Sequence, residues 1–480
     1  MKGTQTMHDG PTAMYINGEW VAEGENGTTT LTAPFDGREL AVIPVGGRRD
    51  VERAVQAAHN ARRTGLPLDR RLTILEAVAA SIAARSEDFA RAIALECAKP
   101  IKTARAEVLR AIDTIKFSVA AARTLGSESV PLDATAAGAG KVTFTKRVPV
   151  GVVAAIAPFN FPLNLVVHKV APALAVGCPV VLKPATQTPL SALLLAEVFH
   201  EAGLPAGWLN VVCGSGAEVG GALATHPDVA YVTFTGSPQV GWGIAEAAPK
   251  KKVRLELGSN APLIVDRESD WEAAADQAVF GAFVQAGQSC VSTQRIFVHE
   301  DVVDAFTERM AAATRGLVVG DPLDETVDVS AVINEGEAIR VEKWIAEAEA
   351  GGAKVVVGGG RSGAVVTPTI IRGVDPAAKV QCQEVFGPVV TVNSFAEFTE
   401  ALAAANDSVF GLNAGVFTTN LRHALQAIEE LEFGSVYIND VPTVRADQQP
   451  YGGVKESGNT REGPRYAMEE MTELKFITLR

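Results

Sequence analysis

The sequence predicts an α/β protein built from two doubly wound parallel-sheet domains. Three observations carry this expectation. The chain has 480 residues, too many for a single hydrophobic core. Alanine-rich stretches with helical periodicity alternate with short Val/Ile runs. The connections between them are short, and a β-α-β series with short connections builds a parallel sheet.

The elements follow in order. Residues 15–45 read as short strands turned at Asn17-Gly18 and Asp36-Gly37. Asp50 is expected to cap a helix running to residue 62. Helices then fill 71–98 and 102–124, separated by Pro100, with Leu72, Leu75, Val78 and Ile82 at helical spacing. Residues 141–146 alternate as an exposed strand, and 151–157 form a buried strand that ends at Pro158. Helix 162–176, strand 179–182, helix 190–202, strand 209–213, helix 217–225 and strand 231–234 continue the series, so the first sheet occupies 151–256.

A second α/β series begins after Gly258. Strand 262–265, helix 270–285, strand 295–298 and helices 301–315 and 335–350 open it. Strands near 354–357, 365–371 and 389–393, helix 396–405 and strand 435–438 complete it, and 474–479 is a terminal strand.

Composition excludes several function classes. The formal net charge is −13, whereas a nucleic acid or an anionic membrane needs a basic face. The longest apolar run, 170–182, has 13 residues and contains Pro172, Gly177 and Pro179, and a membrane span needs about 20. The five cysteines are odd in number and widely spaced, with no C-x-x-C, so neither a zinc site nor a disulfide framework is expected. No apolar stretch follows Met1-Lys2-Gly3-Thr4-Gln5-Thr6, so a secretory signal is not expected and a reducing cytoplasm is the expected location.

The chemistry points to one cysteine. Cys290 stands in Gly287-Gln288-Ser289-Cys290, and Glu256 precedes it in Glu256-Leu257-Gly258. A thiol among small residues, with a carboxylate available to activate water, can form and then hydrolyse a thioester. Cys178 and Cys213 sit in apolar strand contexts and are expected in the core, Cys97 lies near a helix end, and Cys382 is assigned a structural role.

Two segments have the character of a phosphate and ribose site. Phe234-Thr235-Gly236-Ser237 follows a strand and opens a helix, so backbone N–H groups and the helix dipole face an anion there. It is not the G-x-G-x-x-G fingerprint. Lys183-Pro184-Ala185 lies at the carboxyl end of a strand, where doubly wound sheets bind ligands and where a lysine can bond ribose hydroxyls or a 2′-phosphate.

From residue 15 to the end these blocks resemble the aldehyde dehydrogenase superfamily. The matching segments stand in the family's order: Ala157-Pro158-Phe159-Asn160-Phe161-Pro162, Lys183-Pro184-Ala185, Phe234-Thr235-Gly236-Ser237, Glu256-Leu257-Gly258, Gly287-Gln288-Ser289-Cys290, Glu384-Val385-Phe386-Gly387-Pro388 and the glycine-rich run 450–458. The resemblance implies oxidation of a small-molecule aldehyde to an acid with NAD or NADP. Cys290 would be the nucleophile, Glu256 the general base and Asn160 the oxyanion-hole amide. Lys183, Thr186, Gly236, Ser237 and Glu384 would hold the cofactor, with Phe159 and Phe386 near the nicotinamide.

The resemblance also implies domain limits. Residues 1–124 and 148–257 would form the cofactor domain and 258–449 the catalytic domain. Residues 125–147 and 450–480 would form a β arm for a homodimer or homotetramer. No metal is implied. CoA-acylating semialdehyde dehydrogenases are the nearest rival, but they typically lack the base that Glu256 supplies. A catalytically silent binding protein on the same fold is the rival of another class, and intact Cys290, Glu256 and Asn160 oppose it.

Thr186 stands where NAD-preferring relatives often carry Glu, which favours NADP because a carboxylate would repel a 2′-phosphate. Phe161, Leu165 and His168 are expected along one face of the substrate-lining helix. Arg110 and Arg445 resemble arginines near the substrate in lactaldehyde and non-phosphorylating glyceraldehyde-3-phosphate dehydrogenases, and arginine suits carboxylate or phosphate. Ser289 replaces an Arg of the phosphate-using enzymes, and Phe161 replaces a Tyr. A short polar, hydroxylated or anionic aldehyde is therefore the expected substrate.

Overall fold

The apolar run ending at Pro158 forms the strand Val152–Ile156, buried at every residue, as a strand covered by helices on both faces must be. It lies third in a seven-stranded sheet. The order is Lys252–Glu256, Val229–Thr235, Val152–Ile156, Val180–Lys183, Leu209–Val211, Met14–Ile16 and Glu19–Val21. The first five run parallel, and the last two form an antiparallel hairpin at the edge. This computed structural model describes residues 10–480; the N-terminal segment read above for a signal lies outside the described residues.

The second sheet also has seven strands, in the order Lys354–Val357, Thr369–Arg372, Val389–Phe395, Thr293–His299, Ala261–Val265, Asn413–Phe417 and Ser435–Ile438. All neighbours are parallel except the first pair. The architecture is thus two α/β domains, with parallel sheets that take antiparallel strands at one edge. The strands at 252–256 and 413–417, which the periodicity reading passed over, complete the two sheets.

Local departures have physical causes. The expected helix 71–98 is two helices, Leu68–Ala84 and Ser86–Cys97, broken at Arg85. Asp50 is not the cap but lies in the first turn of Arg48–Thr64, where its carboxylate accepts the Gly47 and Glu25 N–H groups. The expected strand 365–371 is split by Pro368 into Val365–Val366 and Thr369–Arg372.

Of the stretches expected as an arm, Val142–Pro149 and Thr472–Leu479 form an antiparallel pair. Within 450–471, Ala467, Met468 and Met471 pack into the core around the first sheet. No helix among the described residues is long and apolar enough to cross a membrane.

Candidate active site

The loop that carries Cys290 is strained. Helix Trp271–Phe283 ends, and Gln285, Ala286 and Gly287 follow with φ of 54°, 53° and 68°. Two consecutive non-glycine residues in the left-handed region cost about 1–2 kcal/mol each. Glycine is required at 287, because a Cβ there would lie 2.1 Å from the Gly387 carbonyl oxygen. Hydrogen bonds hold the turn. The Gln285 side chain donates to the Asn160 carbonyl oxygen, and the Gln288 Oε1 accepts the Ile333 N–H at 2.8 Å.

Asn160 follows the strand Val152–Ile156 and is buried. Its Nδ2 donates to the Gln288 carbonyl at 2.9 Å, which ties it to the residues before Cys290. An amide nitrogen has two hydrogens, so this bond fixes the amide plane and leaves one donor over.

Cys290 is part-buried, and its Sγ lies 2.9 Å from the Tyr451 hydroxyl. Burial pushes its thiol up to about 11; the Tyr451 bond and Arg445 pull the other way, and Glu256 and Glu384 add to the rise. Glu256 ends the strand Lys252–Glu256. It is 3% exposed, and neither carboxylate oxygen has a hydrogen-bond partner. Burial, and after it the nearby Glu462, raises its carboxyl well above the ordinary range.

The glycine-rich run 450–458 closes the site. Leu257 N–H donates to the Ser457 carbonyl at 3.0 Å, and the Ser457 hydroxyl donates to the Gly258 carbonyl at 2.8 Å. Glycine is required at 458, with φ +133°, since a Cβ would lie 2.2 Å from the Leu255 carbonyl oxygen. The run therefore lies directly on the strand end that carries Glu256, and it delivers Tyr451.

Two polar chains lie behind these residues. In one, the buried Lys169 bonds Glu462 at 2.8 Å, Thr235 at 2.7 Å and Thr233 at 3.2 Å. Glu462 also pairs with Arg445 at 3.1 Å, and the Arg445 guanidinium lies 3.7 Å over the Tyr451 ring centroid. Its two cationic partners hold Glu462 down at about 2 against the cost of burial. In the other chain, Asp447 accepts from Arg110 at 2.9 and 3.1 Å and from Asn164 at 3.0 Å, and it meets His168 Nε2 at 3.0 Å. Burial, and then Arg445, lowers the His168 pKa; its Nδ1 is buried without a partner.

The structure departs from the sequence reading at the substrate positions. Arg445 was expected to meet an anion, but its side chain is 8% exposed and its charge is met by Glu462. Arg110 is 31% exposed, with two of its nitrogens on Asp447. Phe161 is not on the helix, which starts at Asn164, although its carbonyl accepts the Leu165 N–H at 3.1 Å. Its ring covers the buried Lys99 ammonium at 3.9 Å. That ammonium pairs with Glu107, whose Oε1 accepts the Leu163 and Asn164 N–H groups at the helix start. Leu165 is buried.

Of the expected cofactor residues, Phe159, Lys183, Thr186, Gly236 and Ser237 end or follow strands of the first sheet, and Glu384 and Phe386 precede the strand Val389–Phe395 of the second. Lys183 is buried at a strand end with one bond, from Nζ to the Pro184 carbonyl at 2.8 Å, and burial pushes it down to about 8. The Thr186 hydroxyl donates to the Gly214 carbonyl at 2.9 Å. Gly236 donates to the Glu256 carbonyl at 3.1 Å, and Ser237 stands at the N-terminus of helix Pro238–Ala247. Glu384 accepts the Ser259 N–H at 2.8 Å, and burial pushes it up to about 7. Phe386, at φ 48°, meets Phe159 edge to face at 5.7 Å.

Tyr451, Lys169, Glu462, Asp447 and Gln285 were missed from sequence. One signal was available: Lys169 stands within an apolar run, where only a paired lysine can be buried. Of the remaining cysteines, Cys97, Cys178 and Cys213 are buried, while Cys382 is exposed and not a core residue. Among the described residues no cluster could hold a metal ion.

Known proteins resemble this chain over nearly its whole length. A 3-sulfolactaldehyde dehydrogenase of Priestia megaterium is 45% identical over 466 residues, 97% of each chain. A lactaldehyde dehydrogenase of Methanococcus maripaludis is 35% identical over 97% of this chain and 99% of its own. The crystal structure of an NADP-dependent glyceraldehyde-3-phosphate dehydrogenase from Bacillus halodurans, complexed with NADP, superposes with a TM-score of 0.95 at 36% identity, covering 98% of this chain and 99% of that one. Residues 20–477 match the aldehyde dehydrogenase family, and with this fold and these relatives the chain belongs to that family.

Proposed function

We propose that this enzyme oxidises a short 2-hydroxylated aldehyde, with or without an anionic terminus, to its acid, and that it uses NADP. The observation that carries the substrate reading is the polar wall Arg110–Asp447–His168–Asn164 beside Phe161. An apolar aldehyde gains nothing from Arg110, whose side chain is 31% exposed, whereas hydroxyl or sulfonate oxygens find donors on it; Asn164 and His168 are buried behind it on Asp447. Arg110, the part-exposed arginine, meets the substrate's far end. Arg445 acts through Tyr451 and Glu462. The names of the two relatives fit a hydroxylated or sulfonated substrate.

The cofactor residues fit a nicotinamide dinucleotide. The buried Lys183 ammonium has donors in excess of its one carbonyl partner, and ribose hydroxyls or a 2′-phosphate would take them. Thr186 brings no charge against that phosphate. Ser237 and Gly236 at the helix start suit the pyrophosphate, Glu384 suits the nicotinamide ribose, and Phe159 and Phe386 suit the ring. When bound, the nicotinamide supplies the acceptor for the hydride that converts the thiohemiacetal to a thioester.

The chain's own residues do the rest. Cys290 Sγ, its proton lost to solvent, bonds as thiolate to the aldehyde carbon. The oxyanion is met by the second Asn160 N–H and the Cys290 backbone N–H; one such donor is worth about 3 kcal/mol. Glu256, in its ionised form, takes a proton from the water that attacks the thioester and passes it to solvent. The C–S bond breaks, and the acid leaves. One aldehyde, one water and one oxidised cofactor give one carboxylate, one reduced cofactor and two protons.

A homodimer or homotetramer in a reducing cytoplasm completes the reading. Val142, Leu474, Phe476 and Leu479 on the arm are exposed, as expected of a surface that pairs. The test is a kinetic panel with NAD and with NADP: lactaldehyde, its 3-sulfonate, glyceraldehyde 3-phosphate, succinic semialdehyde and propionaldehyde. Highest kcat/KM on propionaldehyde would overturn the substrate reading, and a tens-fold preference for NAD would overturn the cofactor reading.

A further inference from the structure

We infer that Tyr451 is a second functional partner of Cys290: its phenol donates a hydrogen bond to the sulfur and holds it as thiolate, with Arg445 stacked on the ring to strengthen the donor. This rests on the reading of Cys290 as nucleophile. Four observations support it.

The Tyr451 hydroxyl lies 2.9 Å from Cys290 Sγ. It is a buried phenol placed beside a part-buried thiol, packed with Val291 and Leu412. The ring is fixed by the adjacent backbone: Tyr451 N–H donates to the Glu462 carbonyl at 3.1 Å, and Glu462 N–H donates back to the Tyr451 carbonyl. The Arg445 guanidinium covers the ring face at 3.7 Å and is itself anchored on Glu462.

The electrostatics then assign the donor. Burial holds the Tyr451 phenol well above its ordinary pKa, and the neighbouring sulfur adds to this, so the phenol keeps its proton and donates it. A cation over the ring withdraws electron density and makes the O–H a better donor. A hydrogen bond to an ionised acceptor is roughly twice as strong as one to a neutral acceptor, so the bond favours thiolate over thiol. The charged or titratable groups facing the sulfur are Tyr451, Arg445, Glu256 and Glu384. Tyr451 and Arg445 favour the thiolate, and the two carboxyls oppose it.

The bond stabilises the state that attacks the aldehyde. It is absent, or reduced to a weak contact, once the sulfur is a thioester. Tyr451 therefore acts on acylation and leaves hydrolysis to Glu256.

The test is alkylation of Cys290 by iodoacetamide in the apo-enzyme, which needs neither aldehyde nor cofactor. A one-unit rise in thiol pKa lowers the thiolate fraction tenfold, partly offset by the greater nucleophilicity of a more basic sulfur. Tyr451→Phe is expected to alkylate about three- to tenfold more slowly at pH 8. Its kcat/KM should fall by a similar factor, with KM for the cofactor unchanged. Arg445→Lys keeps the charge and loses the flat stacking. It should give a smaller slowing, and it serves as the second variant if Tyr451→Phe does not fold.

Wild-type alkylation rates at Cys290 in both variants would overturn the inference and leave the nucleophile in place. Aldehyde oxidation retained in Cys290→Ser would instead overturn the nucleophile reading. Slower alkylation in Tyr451→Phe together with an inactive Cys290→Ser supports both.

Discussion

The side-chain amide of Asn160 donates to the Gln288 carbonyl at 2.9 Å, while the Gln285 side chain donates back to the Asn160 carbonyl. Asn160 follows a strand of the first sheet, and Gln285 and Gln288 belong to the loop of the second domain that carries Cys290. The pair locks the two domains together at the sulfur. It is also what holds Gln285 and Ala286 in the left-handed region.

Asn160→Ala removes both the proposed oxyanion donor and one half of this lock. A lost oxyanion donor typically costs 10²- to 10³-fold in kcat. The expected result is a kcat lower by about that factor with cofactor affinity unchanged, measured by steady-state kinetics and by fluorescence titration of the reduced cofactor. A KM effect with kcat intact would remove Asn160 from the oxyanion role.

Glu256→Gln separates acylation from hydrolysis. The variant is expected to release one equivalent of reduced cofactor per active site and then stop, with the acyl group on Cys290 seen by mass spectrometry of the intact chain. In the wild type the carboxyl is raised far above its ordinary pKa, and only its ionised form takes a proton from water. Hydrolysis should therefore accelerate as pH rises through the raised pKa and be slow below it. A pH-independent hydrolysis rate would reassign the base.

Much of this was legible in the sequence, and the rest was hidden for identifiable reasons. Strands such as Val152–Ile156 and helices such as Glu335–Ala350 showed through because apolar periodicity records burial directly. The strand Lys252–Glu256 did not, since it is only five residues long and opens out of the charged run Lys250-Lys251-Lys252, which masks its alternation. At the site, Cys290, Glu256 and Asn160 stood out by residue type within motifs. Tyr451 stood in plain view within such a motif, but the target of its hydroxyl depends on a tertiary contact across 161 residues. The pairing of Arg445 was hidden for the same reason: a charge in a loop carries no mark of the Glu462 that neutralises it.

The space beside Gly258 is filled by a carboxylate. A Cβ built there would lie 2.3 Å from Glu384 Oε2. The side chain of Glu384 can swing away, but doing so removes the carboxylate from its bond with the Ser259 N–H. Gly258→Ala is thus expected to raise KM for the cofactor about tenfold or more, the cost of losing one charge-assisted hydrogen bond. Folding should change little, as thermal unfolding without cofactor would report. An unchanged KM would show that the Glu384 carboxylate is dispensable for binding.

Glu462 sets a stability window in acid. Its folded pKa is depressed to about 2, with Lys169 and Arg445 the stabilising charges. A group with a depressed folded pKa contributes stability above its unfolded value, near 4.3, and loses it as pH falls towards the folded value. Glu462→Gln leaves both cations buried with no counter-charge, which costs about 3–5 kcal/mol. At pH 7 the variant should unfold at a distinctly lower temperature than the wild type in scanning fluorimetry. Between about pH 4.3 and pH 2 the wild type should lose this advantage, because its own carboxyl then takes up a proton. The two melting curves should converge across that interval. A gap that stays constant down to pH 2 would mean that packing rather than charge holds Glu462 in place.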